Sequence, residues 1–253
     1  MTRFHLVQSD LVWEHIDANL EHLEHQISSI RSGAIILPEM FSTGFSMASA
    51  KLAESMTGKA VTWLTKQAIQ KQVYICGSII IEEDSRYFNR FVWVSPDGAL
   101  TTYDKRHLFR MAGEHHYYAA GAEQVQLSIN DMQLRPQVCY DLRFPAWNRN
   151  TTGYDVLVYV ANWPAARRQH WMTLLQARAI ENLSYVIAVN RVGKDGNDIE
   201  YVGDSCVIDP WGNYLLKMDA EERIGTVDLD LVSLRAYRES FPAHLDADTL
   251  DIK

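Results

Sequence analysis

Two short runs, Ile79-Ile80-Ile81 and Val156-Leu157-Val158-Tyr159-Val160, are apolar at every consecutive position, and this constrains the chain more than any other feature. A strand with one wet face alternates apolar and polar residues, so a strand that is apolar on both faces belongs inside a layered sheet. Further runs rich in β-branched and aromatic residues lie at 3–7, 34–37, 73–81, 87–95, 155–160, 185–190, 203–208 and 223–229. Between them the period changes. Trp13, Ile16, Leu20, Leu23, Ile27 and Ile30 recur at steps of three and four and stop at Ser32-Gly33, which predicts an amphipathic helix. Similar patterns predict helices from Lys59 to Lys71 and from about Arg167 to Leu183. Turn residues at Ser95-Pro96-Asp97-Gly98 and Asp209-Pro210-Trp211-Gly212-Asn213 each follow a strand and predict antiparallel hairpins within an α/β fold.

No Gly/Ser/Pro-rich linker, low-complexity block or fixed-period repeat divides the 253 residues, so one domain spanning 1–253 is expected. A chain of this length can bury roughly three-quarters of its unfolded surface without disulfides. Residues 231–253 mix charges with Tyr237, Phe241 and Leu245, as an arm would that packs on the domain or on a second subunit. The net charge is −8 and no run of Lys or Arg exceeds two, which argues against a nucleic-acid partner. No apolar stretch approaches membrane-spanning length and the N-terminus lacks a signal-like apolar core, so a cytoplasmic protein with no membrane partner is expected. Three widely spaced cysteines without a Cys-x-x-Cys pair indicate reduced thiols rather than a disulfide framework or a zinc site.

Several strand ends carry reactive residues, and strand ends are where layered α/β proteins build their sites. Glu39 follows Ile35-Ile36-Leu37-Pro38 directly, placed for proton transfer or for a cap or ion pair. Lys105, in Tyr103-Asp104-Lys105-Arg106-His107-Leu108-Phe109, could stabilise a developing oxyanion or simply face solvent. Cys139, in Val138-Cys139-Tyr140-Asp141-Leu142-Arg143-Phe144-Pro145, sits where a strand turns polar, a place where a nearby cation and backbone N–H groups can favour a thiolate. Cys76 and Cys206 lie within strands and read as small core residues. The His and Glu residues between Glu14 and His25 read as a solvated helix face. The pair His115-His116 lacks partners at ligand spacing.

In that order, Leu-Pro-Glu39-Met-Phe, Tyr-Asp-Lys105-Arg-His-Leu-Phe and Val-Cys139-Tyr-Asp-Leu-Arg-Phe-Pro resemble the three signature segments of the nitrilase superfamily of carbon-nitrogen hydrolases. Asn162-Trp163-Pro164, the stretch from Gln176 to Asn182 and Gly203-Asp204-Ser205 match the same pattern, and the resemblance covers roughly residues 2 to 230. It implies a four-layer αββα sandwich that usually forms a homodimer, with a Glu39-Lys105-Cys139 triad. Glu114, followed by Gly121, takes the place of the family's second glutamate, after an interval from Lys105 that is short for the superfamily.

The reaction so implied is amide hydrolysis through a thioester, needing no metal or organic cofactor. Cys139 attacks, Lys105 and the backbone N–H of Tyr140 hold the oxyanion, Glu39 moves the protons, and Glu114 orients the amide and Lys105. The short interval, the Cys139 segment and the chain length are most similar to bacterial omega-amidases, which act on monoamides of 2-oxo dicarboxylic acids such as 2-oxoglutaramate and 2-oxosuccinamate. Phe45 and Trp163 are candidate pocket walls. Arg143 is a candidate for the substrate's distal carboxylate or for a structural ion pair. The competing readings are an amidase or N-carbamoyl amine hydrolase for another small substrate, a true nitrilase, a catalytically silent scaffold, and a metal-dependent hydrolase using His107, His115, His116 and Glu114.

Overall fold

The two halves of the chain each lay down most of one sheet, and the computed structural model describes residues 1–248. The first half contributes β1 (Thr2–Gln8), α1 (Ile16–Gln26), β2 (Ala34–Ile36), α2 (Ser49–Leu52), α3 (Lys59–Lys71), β3 (Tyr74–Glu83), β4 (Arg86–Val94) and β5 (Leu100–Asp104). The second contributes β6 (Leu127–Ile129), β7 (Met132–Val138), α4 (Pro145–Asn148), β8 (Val156–Ala161), α5 (Arg168–Asn182) and β9 (Tyr185–Asn190). It continues through β10 (Val192–Lys194), β11 (Glu200–Val202), β12 (Cys206–Ile208), β13 (Tyr214–Lys217), β14 (Arg223–Leu229) and α6 (Leu231–Ser240).

One sheet has the order β14-β1-β2-β3-β4-β5 and the other β13-β12-β9-β8-β7-β6. In each, three central strands run parallel, and the remaining strands pair antiparallel at the flanks. The two fully apolar runs fall in β3 and β8, both interior to their sheets. Alternation along β1 shows how the layers form. Phe4 and Leu6 pack with Val138, Val158 and Ile187 between the sheets, whereas Val7 packs with Leu20, Leu23, Trp63 and Leu64 under α1 and α3. On the far side α5 buries Trp171, Leu175 and Ala179 against the second sheet. The result is the expected single-domain αββα sandwich.

Both predicted hairpins form, as β4–β5 and β12–β13. Some boundaries differ. The first helix starts at Ile16 rather than Trp13, because Glu14 adopts a left-handed φ of 54° and the His15 ring caps the helix by accepting from Ala18 N. The strand expected over 203–208 is paired only from Cys206, since Gly203 and Asp204 have φ of 67° and 56°. A side chain at Gly203 would collide with Gln8, its Cβ lying 2.3 Å from the Gln8 amide.

The arm after β14 begins with α6, capped by the Asp230 carboxylate on Val232 N at 3.0 Å. It packs on its own domain: Leu234 is buried, and Arg238 donates to Leu183 O, Tyr154 O and the Asp155 carboxylate. The end of the arm, 249–253, lies outside the described residues.

Candidate active site

Three loops leaving strand ends meet between the sheets. After β2, Glu39 and Met40 start a turn whose backbone is held by Ser78: Met40 N donates to its hydroxyl and Phe41 N to its carbonyl. After β5 the chain places Lys105, whose N–H donates to Asn89 O on β4. After β7 the backbone swings into a left-handed conformation at Cys139, with φ of 45°, and lifts the thiol off the strand end.

The groups so delivered form one hydrogen-bonded cluster. Lys105 Nζ donates to Glu39 Oε1 and to Glu114 Oε1, each at 2.9 Å, and all three side chains are fully buried. Lys105 therefore does not face solvent, and its ammonium lies 4.9 Å from the centre of the Phe45 ring. Glu39 receives two more hydrogen bonds, from Asn89 Nδ2 at 2.7 Å and Asn162 N at 2.8 Å. Glu114 is pinned by Phe109 N at 2.5 Å. Gly121 permits the return of this segment, because its N–H donates to Lys105 O while a Cβ there would stand 2.1 Å from Asp104 O.

Charges in this cluster oppose one another. Burial works against the Lys105 ammonium, but Glu114 and Glu39 outweigh it and raise its pKa. Burial pushes Glu114 up, with Lys105 opposing and Glu39 adding. For Cys139, burial is again the largest effect: the thiol is pushed well above its ordinary value, Glu39 pushes it further, and Lys105 only partly offsets this. Lys105 does favour the thiolate, as the sequence suggested, but burial and Glu39 act against it, and one ammonium shared between two buried carboxylates offsets them only in part.

A second polar centre fastens the Cys139 turn to the Lys105 segment. The buried Asp141 carboxylate accepts from Val138 N, Tyr103 Oη, His107 N and His107 Nδ1, at 3.0, 2.8, 2.9 and 2.8 Å. The His107 ring is stacked on Phe144.

Cys139 lines a cavity of about 490 Å³. Phe45, Trp163, Tyr140 and Arg143 also line it, so each substrate-side residue expected from the sequence is in place. Arg143 is half-buried, donates to His170 Nδ1 and lies over the Trp163 and Tyr140 rings. It pairs with no carboxylate among the described residues, so the structural ion pair is not formed. Cys76 and Cys206 are fully buried core residues.

Among the described residues no group of three or more His, Cys, Asp or Glu is placed to hold a metal ion. His107 is engaged by Asp141, and Glu114 by Lys105 and Phe109. Sequence reasoning missed Asn89 and the role of Asn162. Asn162 holds Glu39 twice, through its backbone N–H and through Nδ2 to Glu39 O at 2.5 Å, from 123 residues away.

The chain matches the carbon-nitrogen hydrolase family over residues 6–239. It is 48% identical to Omega-amidase YafV of Escherichia coli K12 over 248 residues, covering 96% of this chain and 95% of that one. It is 35% identical to the 2-oxoglutaramate amidase of Bacillus subtilis over 247 residues, covering 95% of each. A solved structure from Xanthomonas campestris, described as a CN-hydrolase superfamily protein with an arsenic adduct in its active site, superposes with a TM-score of 0.97. It shares 41% identity and covers 100% of this chain and 99% of its own. A thiol facing a cavity, backed by buried carboxylates and an ammonium on an αββα frame, agrees with those likenesses, and the chain belongs to the carbon-nitrogen hydrolase family of amide-hydrolysing enzymes.

Proposed function

We propose that this protein is an omega-amidase that hydrolyses the terminal amide of 2-oxoglutaramate and similar 2-oxo dicarboxylic acid monoamides to the dicarboxylate and ammonia. The observation that carries the reading is the Cys139 thiol exposed to a cavity with Glu39 and Lys105 fixed behind it. The amidase names of relatives matching nearly the whole chain support the substrate.

Glu39 takes the thiol proton as sulfur bonds to the amide carbon. Lys105 has three N–H donors, two of them used by Glu39 and Glu114, so the third is left for the developing oxyanion beside the Tyr140 N–H. Glu39 then gives its proton to the leaving nitrogen, the C–N bond breaks and ammonia departs, leaving a thioester. Glu39 next deprotonates a water that attacks the thioester, the C–S bond breaks, and the sulfur recovers its proton. Glu114 holds Lys105 and orients the amide, while Phe45 and Trp163 wall the substrate chain. Arg143 meets the distal carboxylate. None of these steps calls for a metal or organic cofactor.

The reaction runs in the cytoplasm, in a homodimer. Support for the dimer comes from exposed apolar residues around the arm: Trp211 lies tilted against Tyr237 with ring centres 4.1 Å apart, and Ile180, Val232 and Phe241 are also exposed. Light scattering that finds only monomer in an active sample refutes the dimer. Ammonia release from 2-oxoglutaramate and glutamine, compared side by side with small nitriles and carbamoyl amines, tests the substrate. Equal kcat/KM for 2-oxoglutaramate and glutamine, or a preference for a nitrile or carbamoyl amine, rejects the omega-amidase reading and leaves the thiol chemistry standing.

A further inference from the structure

Four charged residues line the cavity near its mouth, and their partners divide them into two kinds. Glu14 is engaged by the Ser46 hydroxyl at 2.6 Å and by Lys51 at 2.9 Å. Asp195 accepts from Asn197 N, Ile199 N and Tyr201 Oη. Both carboxylates therefore already carry partners, Glu14 an ammonium and Asp195 three donors. The cations differ: Arg143 and Arg167 both line the cavity, and among the described residues neither is paired with a carboxylate.

Arg167 sits just before α5, at the end of a short turn whose backbone is fixed to the cavity wall by Trp163 Nε1 donating to Arg167 O at 2.8 Å. Its guanidinium lies 5.5 Å from the centre of the Phe109 ring and donates toward the Met111 sulfur, a weak acceptor on an exposed side chain. Arg143 lies 5.8 Å from the Tyr140 ring, and Tyr140 meets Phe109 edge-on at 5.0 Å. The two guanidiniums thus flank one aromatic pair beside the nucleophile, and Arg167 gives up only a thioether contact when an anion enters.

We propose that Arg167 is a second carboxylate-binding residue that closes on the substrate's distal carboxylate opposite Arg143, and that this two-guanidinium clamp selects 2-oxo acid amides over amino acid amides. The inference rests on the amidase reading above. The oxo acid brings a single negative charge to two cations. The amino acid brings an ammonium beside the same carboxylate, next to two guanidiniums that repel it, while the lining carboxylates Glu14 and Asp195 are already partnered.

The test uses the full chain and its Arg167→Gln, Arg167→Lys and Arg143→Gln variants. Arg167→Gln raises KM for 2-oxoglutaramate by roughly 10- to 100-fold, the range for losing a charge-assisted hydrogen bond, while kcat changes far less. Arg167→Lys recovers part of this loss, because it keeps the charge without the fork. The 2-oxoglutaramate preference over glutamine narrows in Arg167→Gln. Iodoacetamide labelling of Cys139 supplies an arm without turnover: 2-oxoglutarate slows labelling in the parent and fails to do so in Arg167→Gln, whose unprotected labelling rate reports an intact site. If the parent does not hydrolyse 2-oxoglutaramate yet shows Arg167-dependent protection, the substrate reading falls and the clamp stands. An Arg167→Gln variant with parental KM and parental protection overturns the clamp.

Discussion

Replacing Lys105 by Met removes the cation between two buried carboxylates and keeps most of the side-chain volume. Glu39 retains Asn89 and Asn162 as donors, whereas Glu114 keeps Phe109 N and a long 3.4 Å contact to Asn89. The pair cannot stay doubly charged without cost, so Glu114, already raised by burial, rises further and takes a proton. Removing one partner of a buried ion pair costs about 3–5 kcal/mol, and at this chain length about 2–4 °C of Tm accompanies each kcal/mol. Lys105→Met should therefore melt about 6–20 °C below the parent at pH 8. A carboxyl whose pKa is higher folded than unfolded contributes stability that is fully present below its unfolded value and is lost as pH rises through its folded value. The deficit should accordingly shrink at pH 5. Thermal melts of parent and variant at both pH values measure it, and a deficit that is the same at pH 5 and pH 8, or larger at pH 5, refutes the shared-ammonium account.

Cys139→Ala should abolish hydrolysis with little loss of Tm, and peptide mapping after iodoacetamide should find Cys139 modified before Cys76 or Cys206, since it is 9% exposed and they are fully buried. Glu39→Gln and Lys105→Ala should each lower kcat by at least about 10²-fold, with the double variant little worse than either alone; multiplicative losses would show that the two serve different steps. Asp141→Asn should lower Tm and kcat together, because one amide oxygen cannot accept from the four donors that now converge on the carboxylate, and stranding even two of them costs about 2–6 kcal/mol. A parental melt for Asp141→Asn would show that this carboxylate does not fasten the Cys139 turn.

The layered fold was legible wherever a residue pattern is local. Continuous apolar runs placed β3 and β8 inside sheets, and the 3.6 period found α1, α3 and α5 to within a few residues. What escaped depends on contacts between distant segments. Nothing near Asn89 or Asn162 in the sequence says that both reach Glu39. No local pattern announces that Asp141 is shared by Tyr103 and His107. The short strands β10 and β11 pair with each other over three residues a side and offer no period to read. Cys139 itself was found from its place at a strand end, but its ionisation was not. That depends first on how deeply the fold buries the thiol and then on charges brought from 34 and 100 residues away.

A thiol whose deprotonation is disfavoured by burial has a consequence for chemical damage. Peroxide, like alkylating agents, attacks the thiolate, and the path from sulfenic to sulfinic and sulfonic acid begins there. Many cysteine enzymes keep a standing thiolate and so stay open to oxidation between turnovers. Here burial and two carboxylates disfavour the Cys139 thiolate. The same burial and carboxylates that leave attack dependent on Glu39 as base therefore also work against oxidation of the idle enzyme.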